Sequence, residues 1–103
     1  MFIALDFDET YTQDPDLWCK FIDEARDNEH EVYIVTARPD DGDNFDIELS
    51  KACHVLKVPV IYCHYTPKRF YCKEVYGITF DVWIDDSPEA IVSRTDEIGY
   101  DCI

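Results

Sequence analysis

Four short stretches, residues 2–7, 32–35, 58–62 and 82–84, are almost continuously apolar and rich in β-branched and aromatic side chains. A strand with one wet face alternates polar and apolar residues. A strand covered on both faces does not, so these runs predict a sheet buried between helices. Helix-like segments separate them. Residues 16–28 carry Leu17, Phe21 and Ala25 at every fourth position, and Pro15 suits the helix start. A second helix is expected over residues 44–56, with Phe45, Leu49, Ala52 and Cys53 inward. A third follows Pro67 and stops at Gly77, a C-terminal cap, and a fourth opens at Ser87-Pro88 and uses Ala90 and Ile91. Residues 100–103 could add an edge strand. Parallel strands need crossover connections, predominantly right-handed, and this alternation supplies them. The expected fold class is therefore α/β: a three-layer sandwich around a mostly parallel, Rossmann-like sheet, with its site at the strand C-termini.

With 103 residues the chain has room for one domain, taken here as 1–103, near the small end of what buries an adequate core. The acidic stretch over residues 40–46 reads as a loop opening a helix, not as a domain boundary. Against 9 Lys and Arg stand 23 Asp and Glu, a formal charge of -14. That charge repels phosphate backbones and anionic membrane surfaces, so broad nucleic-acid binding and membrane association are disfavoured. A carboxylate-rich cleft nevertheless attracts a divalent cation, which reverses the local sign for an anionic substrate.

Five cysteines without a C-x-x-C pair read as reduced thiols. The adjacent pairs Cys53-His54 and Cys63-His64 point their side chains in different directions and complete no tetrahedral zinc set. With no basic leader and no long apolar segment at the start, a cytoplasmic protein, monomeric or a small homo-oligomer, is the simplest expectation.

The strand ends hold the chemistry. The first delivers Asp6-Phe7-Asp8-Glu9-Thr10, the second Thr36-Ala37-Arg38 and the fourth Asp85-Asp86-Ser87-Pro88, while the third helix opens with Lys68. A parallel sheet brings all of them to one edge. In this order and setting the sequence resembles the haloacid dehalogenase (HAD) superfamily, whose motifs are an apolar strand ending in D-x-D-x-T, a strand-end Thr or Ser, a Lys, and a late acidic pair. The resemblance covers essentially the whole chain.

The resemblance implies a magnesium-dependent phosphohydrolase with Asp6 as nucleophile, forming an aspartyl phosphate, and Asp8 as acid and then base. It places Mg2+ on Asp6, the backbone carbonyl of Asp8 and Asp86. Asp85 would support a metal water or hold the lysine, with Thr10 behind them. Thr36 would bind a phosphate oxygen. Lys68 would neutralise Asp6 and the phosphate, with Lys73, further along the same helix, as its competitor. Two departures from the family pattern stand out: Glu9 replaces a small residue, and Tyr11 an aliphatic one.

Residues 11–16 and 62–67 offer too little chain for a cap domain at the two insertion points the family uses, so an open site is expected. Its rim would include Tyr11, Arg38, Tyr62, His64, Tyr65 and Arg69, aromatic and cationic groups suited to a nucleotide or other bulky phosphomonoester, with Arg38, Tyr11 and Arg69 as substrate contacts. Two alternatives stay open: a catalytically weak HAD-like domain that binds a phosphorylated ligand or protein partner, and a nucleic-acid 3'-end phosphatase. A response-regulator receiver is excluded, because Tyr62 and Cys63 follow the third strand where its phosphoacceptor Asp would stand.

Overall fold

The computed structural model describes residues 1–39 and 58–92. Four strands, β1 (Phe2–Leu5), β2 (Glu31–Thr36), β3 (Val60–Tyr62) and β4 (Val82–Ile84), form one sheet in the order β3-β2-β1-β4. Every pairing is parallel. Helix α1 (Pro15–Asp27) connects β1 to β2, and α2 (Lys68–Tyr71) follows β3. The protein is thus an α/β fold with an all-parallel sheet. The expected helix over 44–56, the acidic loop over 40–46, the Cys53-His54 pair and the edge strand at 100–103 lie outside the described residues.

Both sheet faces are apolar, as the lack of alternation requires. The register pairs Ile3 with Val32 and Leu5 with Ile34, and these four side chains pack with Ile22 and Ala25 of α1 on one face. On the other face Ala4, Val35 and Ile61 meet Cys63, Cys72 and Phe80. Removing such side chains from water is the main force holding the sheet to its helices. Among the described residues no helix is long and apolar enough to cross a membrane.

Helix α1 begins where its sequence says it should: Pro15 occupies the first turn and the Asp14 carboxylate accepts from the Leu17 N–H at 3.2 Å. Two of the three expected positions face inward: Ala25 is buried and Phe21 packs against the core, whereas Leu17 is 52% exposed. Ile22 is buried as well and Trp18 packs beside it, its indole N–H donating to the Thr10 carbonyl at 2.9 Å. Helix α2 continues as a wider π-type turn over Cys72–Tyr76 and stops at Gly77, whose φ of 68° is left-handed. That conformation is the one a C-terminal glycine supplies without strain. The segment expected to form a fourth helix at Ser87-Pro88 makes a short 3₁₀ turn, Pro88–Ala90.

The strand order decides where the site falls. The chain moves from β1 outward to β2 and β3, then returns across the sheet to place β4 on the other side of β1. The crevice beyond the carboxyl ends of β1 and β4 lies where the connections part in opposite directions, the usual ligand position in open parallel sheets. Asp6 follows β1 directly, and its N–H donates to the Ile84 carbonyl at 2.9 Å. Asp6 is thereby tied to the end of the strand that delivers Asp85 and Asp86.

Candidate active site

Asp6 is 6% exposed and its two carboxylate oxygens have separate partners. Lys68 Nζ donates to Oδ1 at 2.7 Å and Thr10 Oγ1 to Oδ2 at 3.1 Å. The same ammonium donates to Asp85 Oδ2 at 2.6 Å. Lys68 is 2% exposed, so this cation is desolvated and shared between two carboxylates. Burial by itself would lower its pKa, yet the hydrogen bonds and charges of Asp6 and Asp85 outweigh burial and raise it, keeping the lysine charged. Burial pushes Asp6 the other way, up to about 6, with Lys68 opposing the rise and Asp85 and Asp86 adding to it. Of the two candidate lysines, Lys68 is the one placed here; Lys73 lies exposed on the following turn.

The late acidic pair divides its tasks. Asp85 accepts from Lys68 through Oδ2 and from the Ser87 N–H through Oδ1 at 2.9 Å, so both of its oxygens have protein donors. Asp86 instead approaches Thr10: its N–H donates to Thr10 Oγ1 at 3.3 Å, and its Oδ1 lies 3.3 Å from the same hydroxyl. One hydroxyl proton serves Asp6 Oδ2 or Asp86 Oδ1, but not both at once. Carboxylate oxygens of Asp6, Asp85 and Asp86 lie within 4.8 Å of one another. Three carboxylates beside one ammonium leave two negative charges. An all-oxygen donor set with one hydroxyl short of satisfying it fits a hard divalent cation. Thr10 lies four residues beyond Asp6, a spacing visible in the sequence; its bridge to Asp86 is not.

Thr36 is fully buried, and its hydroxyl accepts from the Arg38 N–H at 3.2 Å, which fixes the turn leaving β2. The Arg38 guanidinium clamps Asp8, with Nε on Oδ2 at 2.9 Å and Nη2 on Oδ1, and lies 5.4 Å from the Phe7 ring centroid. No sequence signal links positions 8 and 38; only the β1–β2 pairing makes them neighbours.

The rim differs from the expected one. Tyr11 is 8% exposed, its ring stacks on Phe7 at 5.5 Å between centroids, and its hydroxyl lies 3.7 Å from Cys19 Sγ. Burial, aided by Cys19, pushes its phenol up to about 12. Tyr11 therefore belongs to the core, because the 3₁₀ turn Tyr11–Gln13 folds its aromatic ring under the Asp6-Phe7-Asp8 segment. His64 and Tyr65 are exposed, both with left-handed backbones, and Arg69 is half-buried with its N–H on the Ile91 carbonyl at 2.9 Å.

Glu9, the other departure, has φ 63°. This conformation is costly for any residue with a Cβ, and its N–H is held by Thr12 Oγ1 at 3.1 Å. The expected result for Glu9→Gly is a melting temperature higher by about 2–4 °C: roughly 1 kcal/mol of left-handed strain is relieved, part of it offset by the freer unfolded glycine. A lower melting temperature by calorimetry would show that the Glu9 bond to Gln13 Nε2, 3.1 Å, outweighs the strain.

No family model, curated protein or solved structure matches the chain. What fold and site define together is a parallel α/β protein with a carboxylate–lysine centre at the β1/β4 crevice.

Proposed function

We propose that the protein is a magnesium-dependent phosphomonoesterase of HAD-like type, a three-layer domain without a cap, acting through Asp6. The observation carrying this reading is the shared Lys68 ammonium between Asp6 and Asp85, with Thr10 bridging Asp6 to Asp86. Three stretches far apart in sequence meet there, and a buried carboxylate held by a lysine is a nucleophile positioned for phosphorus. The short links from Asp6 to α1 and from Tyr62 to α2 support an open site.

In the first step an Asp6 oxygen attacks phosphorus and the bond to the leaving oxygen breaks, with Asp8 giving that oxygen its proton. An aspartyl phosphate and a free alcohol result. In the second step water attacks the same phosphorus and passes a proton to Asp8. Inorganic phosphate leaves and the Asp6 carboxylate is restored. Lys68 holds Asp6 in place and offsets charge around the phosphoryl group, and the buried Thr36 hydroxyl stands at the end of β2 to donate to a phosphate oxygen. Magnesium, held by Asp6 and Asp86 with the Asp8 carbonyl, would supply further charge neutralisation for the phosphoryl oxygens.

A turnover screen with magnesium over nucleotides, sugar phosphates, phosphopeptides and 3'-phosphorylated oligonucleotides tests this reading. Hydrolysis of at least one class, abolished by chelation, is the expected result. Magnesium-dependent phosphate binding without hydrolysis of any class would favour a ligand-binding domain instead. Magnesium should also stabilise the folded chain by about 1.4 kcal/mol at a tenfold excess over Kd, read as a rise in melting temperature. Asp86→Ala is expected to need at least about tenfold more magnesium for the same rise, and an unchanged titration would remove Asp86 from the metal set.

A further inference from the structure

We propose that Arg38 is a positioning residue that holds Asp8 in the free protein and transfers to the substrate's phosphoryl group, releasing Asp8 for proton transfer as the ester binds. This inference rests on the phosphotransfer reading above and concerns the same site.

Asp8 has two carboxylate oxygens, and each is engaged. Both accept from one guanidinium, Nε to Oδ2 at 2.9 Å and Nη2 to Oδ1. A guanidinium has five donors and no acceptor, so the lone pair of each oxygen that faces it is taken, while each oxygen keeps its outer one. While the fork is closed, the edge of Asp8 that faces Arg38 cannot be presented to a leaving group. The fork thus competes with the step assigned to Asp8, and a ligand that draws Arg38 away favours that step.

The ester itself is suited to do so. A group bonded to both Asp8 oxygens lies within two hydrogen-bond lengths, about 6 Å, of any atom that Asp8 protonates. The leaving oxygen is such an atom, so the phosphoryl group enters the reach of Arg38 as it binds. Arginine pairs bidentately with phosphate as readily as with carboxylate, and a phosphomonoester carries up to twice the charge. The side chain has a fixed base for this exchange: its N–H is held by Thr36 Oγ1 at 3.2 Å, at the end of β2. Its guanidinium lies 5.4 Å from the Phe7 ring centroid, and Phe7 is 1% exposed, so that contact guides the plane of the fork from a rigid wall. Asp8 is the more exposed partner, with 45% of its side chain accessible against 17% for Arg38.

The experiment joins a spectroscopic arm to a kinetic one, using the full chain with magnesium. In the first, the Arg38 Nε–H resonance is followed in 1H–15N spectra of the wild type, of Asp8→Asn, and of the wild type titrated with inorganic phosphate. The resonance is expected to move in Asp8→Asn and to move again, saturably, with phosphate. In the second, Arg38→Ala and Arg38→Lys are assayed on 4-nitrophenyl phosphate, whose leaving group needs little protonation, and on an alkyl phosphomonoester, whose leaving group needs it fully. Arg38→Ala is expected to raise KM for both esters. Its kcat should fall about tenfold or more on the alkyl ester and no more than about threefold on the aryl one, since acid catalysis is worth about 10²–10⁴ where it is required. Arg38→Lys is expected to restore KM in part but not the alkyl kcat, because a point charge cannot hold both oxygens.

An Nε–H resonance indifferent to Asp8→Asn would overturn the clamp. One indifferent to phosphate, in protein that hydrolyses esters, would overturn the transfer. Equal kcat losses on both esters would show that Arg38 does not act through Asp8. If no ester is hydrolysed and both spectral responses are nevertheless present, the phosphatase reading fails while the phosphate-responsive Arg38–Asp8 pair stands.

Discussion

Asp6→Asn is expected to abolish magnesium-dependent ester hydrolysis, by on the order of a thousandfold or more, without lowering the melting temperature of the metal-free protein. The amide oxygen can still accept from Lys68, and the change in volume is negligible. The lost charge is one that the fold disfavours, since burial raises Asp6 to about 6 from 3.8. The sign follows from linkage. Between those two values the folded state holds a proton that the unfolded state has released, so the Asp6 contribution to metal-free stability falls as pH rises from about 4 to 6. In the variant that part of the pH dependence disappears. Turnover near the wild-type rate would remove Asp6 from the mechanism. A melting temperature well below wild type at neutral pH would mean that its ion pair with Lys68 outweighs the cost of burying its charge.

The second large effect concerns Lys68. Lys68→Met keeps the length of the side chain and removes the charge, leaving Asp6 and Asp85 facing each other in a site from which water is largely excluded. Breaking one partner out of a buried ion cluster costs about 3–5 kcal/mol, a large share of the 5–15 kcal/mol typical of a whole domain. The variant is therefore expected to unfold at much lower urea concentration than the wild type. Two comparisons keep the result interpretable. Adding Asp85→Asn removes one uncompensated carboxylate and should recover part of the loss, a coupling expected only for groups in direct contact. Lys73→Met, on the exposed turn beyond, should change stability by no more than about 0.5 kcal/mol. Equal, small effects at both lysines would mean that the buried Lys68 cluster contributes little to holding the fold.

Much of this arrangement is legible in the chain because it depends on local rules. Unbroken apolar runs require cover on both faces, which favours parallel strands, and a helix lies in the described links after β1 and after β3. Pro15, Pro67 and Gly77 mark helix ends through fixed or left-handed φ, and each stands at the terminus it suggests. A parallel sheet brings successive strand ends to one edge, so the placing of Asp6, Thr36, Asp85 and Asp86 near that edge followed from strand assignment alone.

What the sequence left undetermined depends on rotation and on strand order. The stripe read at 17, 21 and 25 holds at Phe21 and Ala25, but nothing in it marks Leu17 as the exposed member or Trp18 and Ile22 as inward, Trp18 with its indole N–H on the Thr10 carbonyl. Tyr11 has the composition of a rim residue and the position of a core one, because the tight turn after Thr10 carries its ring beneath Phe7. The helix start after Pro67 favours Lys68 over Lys73, but that one ammonium is shared by two buried carboxylates is seen only in the fold. The Arg38 fork on Asp8 likewise has no trace in one dimension, since residues 30 apart meet only when β2 lies parallel beside β1. Local preferences, set by neighbours in the chain, determined the elements and their ends. Which charges share a desolvated site was decided by tertiary structure, because the energy of a buried charge depends on partners that the strand order alone brings within reach.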